Sequence, residues 1–84
     1  MKNKAILGAL SLDLKRAALG FYRGSDAMAE RFFAEALKRR DEVDQNEIKP
    51  YLSKFLQGLE KIKLEKGAED ALLYSIIFQN ASQV

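Results

Sequence analysis

Apolar residues recur at every third or fourth position through most of this chain, a period that suits α-helices and little else. Ile6, Leu10, Leu14, Ala17 and Phe21 form one stripe, and Met28, Ala29, Phe32, Phe33, Ala36 and Leu37 a second. Ile48, Leu52, Phe55, Leu59 and Ile62 form a third, with Tyr51 and Leu56 beside it. From Ala71 to Phe78 the chain is apolar almost all round. Such a run could be a buried strand, but a lone strand has no pairing partner. The flanks Ala68-Glu69-Asp70 and Gln79-Asn80-Ala81 favour a short, strongly buried helix instead.

The polar segments between the stripes read as helix punctuation. Arg23-Gly24-Ser25-Asp26 offers a glycine for a left-handed helix end, followed by Ser25 or Asp26 as an N-cap. The polar run from Arg40 to Glu47 precedes the only proline, Pro50, which is tolerated in a first helical turn. Asp44 or Asn46 can cap the third helix. Glu65-Lys66-Gly67 reads as the third stop, and Gly58 then falls inside helix three, where it signals close approach of a neighbouring helix. Charges follow the helix dipoles: Asp26 and Glu30 open helix two, and Lys38, Arg39 and Arg40 close it. Likewise Glu47 opens helix three, with Lys61, Lys63 and Lys66 closing it, and Glu69 and Asp70 open helix four. Glu35 and Arg39, four apart with the acid first, are spaced to pair along helix two. The expectation is an all-α, single-domain antiparallel bundle over 1–84, with helices near 3–22, 26–41, 47–66 and 68–81.

Composition narrows the chemistry. The 84 residues include no histidine and no cysteine. That removes the usual neutral-pH base, thiol chemistry, disulfides and the usual nitrogen and sulfur metal ligands. A calcium loop started at Asp44 would place Lys49 where glycine is required and Phe55 where glutamate is required. A di-iron bundle needs Glu-x-x-His motifs. Ser75 has no base at a recognised spacing. No cofactor, no metal and no enzymatic activity are therefore expected. Met1-Lys2-Asn3-Lys4 before an apolar run resembles the start of a signal peptide, but Asp13, Lys15 and Arg16 interrupt the run without a small-residue cleavage site. The segment reads as an amphipathic helix, no stretch is long enough to span a membrane, and the cytoplasm is the expected compartment.

A domain this small buries only roughly 60–65% of its extended-chain surface, so a second subunit is a natural source of further apolar burial. Ala5, Leu12 and Leu19 repeat every seven residues away from the main stripe of helix one. A homodimer or another helical protein is the expected partner, with Leu12, Leu19 and the segment from Tyr74 to Phe78 as its contact surface, and Leu12, Leu19, Tyr74, Ile77 and Phe78 as the candidate interface residues. Polar Tyr74, Ser75, Gln79 and Asn80 would line a small pocket or satisfy one another at that interface, if they do not bond their own backbone or reach solvent. The alternative is a small nucleic-acid-binding protein using Arg23, Arg31, Lys38, Arg39 and Arg40. Against it stand a formal net charge of only +2 and acids Asp26 and Glu30 at the leading end of helix two. Gly24, Ala29, Phe33, Ala36 and Leu37 resemble the second half of a tetratricopeptide repeat. The likeness stops at one hairpin, since Gly20 and Asp41 depart from the pattern, and it implies generic helical-hairpin chemistry without assigning the family.

Overall fold

The computed structural model describes residues 2–62 and 64–83, with backbone alone at 64–67. Four α-helices are present, α1 (Lys2–Tyr22), α2 (Asp26–Glu42), α3 (Pro50–Gly58) and α4 (Leu64–Ser82), with 3-10 turns at Gln45–Glu47 and Leu59–Lys61. No strand occurs among the described residues, so the all-α bundle expected from periodicity is the fold. The first hairpin is built as its sequence suggests. Gly24 has φ +76°, and the Ser25 side chain caps α2 by accepting a hydrogen bond from the Met28 amide at 3.4 Å. Asp44 caps the first 3-10 turn through the Asn46 amide at 3.0 Å, and Pro50 occupies the first turn of α3.

α1 is the organising element. At 1.5 Å per residue it is about 32 Å long, nearly the whole 36 Å long axis of the molecule. α2 and α4 both pack along it, antiparallel to it: Gly20 lies against Ala29, Asn3 against Asp44, and Gly8 beside Ser82. The short α3 and its following turn fill the space left on one side, placing Leu52, Leu56 and Leu59 in a core with Leu7, Leu10, Leu14, Ala36 and Phe78. A second cluster of Ala17, Ala18, Ala29 and Ala71 lets helix backbones approach closely, and Phe21, Phe32, Phe33 and Leu72 close it. Tyr74 stands edge-on to Phe55 and Phe78, with ring centroids 5.1 and 6.3 Å away. Two hydrogen bonds of 3.0 Å between the buried Asn3 amide and the Asp44 backbone tie the start of α1 to the end of the α2 connection.

The second half departs from the expected boundaries. Helix three does not run from 47 to 66; it ends at Gly58, and α4 starts at Leu64 and continues through Gly67. Gly58 is the weakest helix former after the first turn of the segment, and the chain tightens there into a 3-10 turn that still directs Leu59 inward, before extended Ile62 redirects it. Gly58 is thus a helix end, although its predicted close neighbour exists: a Cβ there would lie 3.4 Å from the Tyr74 hydroxyl. Glu47 belongs to the preceding 3-10 turn, and Lys63 lies outside the described residues. α4 is 19 residues long, so it is not the short helix expected. Nor is it buried on all sides, because Leu73 and Ile76 are each 53% exposed.

Candidate interaction face

α1 and α4 lie side by side and leave a groove of about 290 Å³ between them, lined by Gly8, Ser11, Leu12, Lys15, Ser75 and Gln79 among others. Small residues make the close approach possible, and their hydroxyls are already engaged. Ser11 donates to the Gly8 carbonyl at 2.8 Å, Ser75 to Leu72 at 2.6 Å and Ser82 to Gln79 at 2.7 Å. Each bond runs back to the serine's own helix. The Ser75 proton is therefore held by a carbonyl of its own helix.

The expected interface residues separate into three environments. Leu12 is 45% exposed and borders the groove, while Leu19 is half-buried. Tyr74 and Ile77 are half-buried and pack against the main core. Phe78 is wholly inside that core and offers no surface, a correction explained by its helical position on the side of α4 that meets α1 and α3. Leu73, outside the expected set, and Ile76, inside the expected segment, are the most exposed aliphatic side chains among the described residues of α4. The uniformly apolar run hid which of its members face outward. Of the polar group, Ser75 and Gln79 line the groove, whereas Tyr74 takes part in the aromatic packing and Asn80 is exposed.

Of the candidate phosphate contacts, all but Arg23 are engaged within the fold. Lys38 pairs with Glu35 at 3.5 Å. Arg39 does not take the expected partner Glu35; it reaches across to Asp13 of α1 at 3.5 Å, and to Glu42 at 3.9 Å. The buried Asp13 carboxylate has greater need of a countercharge than half-buried Glu35, which keeps more contact with water. Arg40 pairs with Asp41 at 3.3 Å and Glu60 at 3.9 Å. Arg31 and Arg16 sit over the Phe32 ring, 5.8 and 5.5 Å from its centroid. Arg23 is exposed and makes no ion pair among the described residues. Burial pushes the Asp13 carboxyl above the usual carboxylate range, with Arg39 opposing the shift, Glu35 adding to it and Arg16 opposing it. Asp13 Oδ2 and Arg39 Nε, though close, form no well-aligned hydrogen bond.

Among the described residues no three or more Asp or Glu side chains are gathered to hold a metal ion, and no helix is long and apolar enough to cross a membrane. No known protein family, curated protein or solved structure matches the chain.

Proposed function

We propose that this chain is a non-enzymatic helical interaction module that self-associates through the exposed surface of α1 and α4. The observation that carries this reading is the exposure of Leu12, Leu73 and Ile76, at 45%, 53% and 53%, on two adjacent helices whose other faces already fill the core. Leu73 and Ile76, three apart, share one face of α4, and neighbouring exposed aliphatic residues mark interaction surfaces more often than isolated ones do. The nucleic-acid alternative draws less support, since Lys38, Arg39 and Arg40 are each paired with carboxylates. As part of the same proposal the working compartment is the cytoplasm.

The magnitude sets the expected strength. Burying the exposed half of a leucine or isoleucine is worth about 1 kcal/mol, or about 6 kcal/mol for three residues on each of two protomers. Association itself costs about 4–15 kcal/mol, so these three side chains alone leave at most about 2 kcal/mol, and a dimer of millimolar affinity, about 4 kcal/mol, draws the remainder from the surface around them. Sedimentation equilibrium from micromolar to millimolar concentration tests this. Leu73→Glu with Ile76→Glu is expected to abolish association while helicity is retained. A strict monomer at the highest concentration would rule out self-association.

A further inference from the structure

A second concavity lies at the end of the bundle where α1 begins and α3 starts, and it shares no lining residue with the α1–α4 groove. Its volume is about 200 Å³. Leu7 and Leu52, both core residues, provide apolar lining, with Ile48 and Ala81 beside them. Lys4 and Lys49 also line the cleft. Both are exposed, and neither makes an ion pair among the described residues. Tyr51, 51% exposed, adds an aromatic ring, and Glu47 adds one opposing carboxylate, so these two lysines and one acid sum to a single positive charge.

We propose that this cleft binds a small amphipathic monocarboxylate, an aliphatic or aromatic acid whose apolar body lies on Leu7, Leu52 and Tyr51 and whose carboxylate lies between Lys4 and Lys49. The apolar lining rewards a hydrocarbon body, and the lysine ammonium groups reward an anion. Glu47 penalises a second negative charge, which selects a carboxylate over a phosphate monoester. The volume is below the roughly 300–1,000 Å³ of sites for drug-sized ligands, so the ligand is small, about eight to ten non-hydrogen atoms. A half-open site and a ligand of that size give an expected dissociation constant of about 0.1–1 mM, weakening as salt screens the exposed lysines.

The test is an amide-resolved NMR titration of the full chain with octanoate, octanol and octyl phosphate, run below the concentration at which self-association is detected. Octanoate is expected to shift signals of Leu7, Ile48, Leu52 and Ala81 and to bind about tenfold more tightly than octanol. Lys4→Gln with Lys49→Gln should remove that preference, and Glu47→Gln should strengthen octanoate binding about two- to threefold. All three substituted residues are exposed, and thermal melts of the variants check that folding is intact. Equal binding of octanol and octanoate, tighter binding of octyl phosphate, insensitivity to the lysine substitutions, or shifts confined to Leu12, Leu73 and Ile76 would each overturn the assignment.

Discussion

Three glycines in this chain should respond to the same substitution in different ways, because each meets a different obstacle. A Cβ at Gly20 would lie 2.9 Å from the Ala29 backbone nitrogen, 3.2 Å from its Cα and 3.1 Å from Met28 Cγ. The methionine can move aside, but the α2 backbone cannot without disturbing the turn, where the Ser25 amide donates to the Gly20 carbonyl at 2.8 Å. Replacing a helical glycine with alanine gains about 0.5–1 kcal/mol, and overpacking costs about 1–3 kcal/mol. With rigid backbone as the obstacle, the net for Gly20→Ala is a loss of about 1–2 kcal/mol, a fall of about 5–15 °C in Tm for a domain this size. Gly8 sits in the same helix, but a Cβ there would be 3.8 Å from Ser82 Oγ, an ordinary contact, so Gly8→Ala should raise Tm by about 2–6 °C. Gly24 faces open space, yet its φ of +76° costs an alanine about 1 kcal/mol. Asparagine should rescue position 24 and fail at position 20, since it tolerates the left-handed backbone but does not shrink the Cβ. Thermal melts followed by far-UV circular dichroism measure all of these. A Gly20→Ala variant as stable as the parent would refute the claim that α1 and α2 are locked in backbone contact at this point.

The remaining expectations concern buried groups. Folded Asp13 holds its proton more tightly than the unfolded chain does, so its contribution to stability is fully present below the unfolded value, near 3.8, and is lost as pH rises through the raised folded value. The parent's stability relative to Asp13→Asn should therefore decline with rising pH over that window; parallel pH–stability curves would contradict it. Asn3→Ala removes both hydrogen bonds to the Asp44 backbone and should cost about 1–3 kcal/mol, with faster hydrogen exchange at the Asp44 amide. Phe78→Ala should cost about 3–5 kcal/mol, whereas Leu73→Ala in dilute solution should change stability by less than about 0.5 kcal/mol, as measured by denaturant unfolding.

How far the sequence can be read depends on whether its punctuation and its periodicity agree. They agree across the first hairpin: the stripes of α1 and α2 stop at Arg23-Gly24-Ser25, where the backbone needs the glycine and the serine caps. They conflict after Pro50. Ile48, Leu52, Phe55, Leu59 and Ile62 keep a helical spacing across the real break, because a 3-10 turn also brings residues three apart to one side. Gly67 then looks like a stop although the helix passes through it, held by the packing of Ala68 and Ala71 just beyond that position. Helix propensity is too weak to override such tertiary contacts. The exposed apolar surface proposed for interaction was half legible for a related reason. Leu12 and Leu19 stand apart from the main stripe of α1, and a second period shows through. In α4 nearly every position from Ala71 to Phe78 is apolar, so no contrast separates the residues that serve the core, such as Phe78, from those left outside, such as Leu73 and Ile76. Periodicity locates a face only where polar residues define its edges. Asn3 and the Asp13–Arg39 pair lay beyond it altogether, since each depends on a partner from a distant segment that spacing along one helix cannot name.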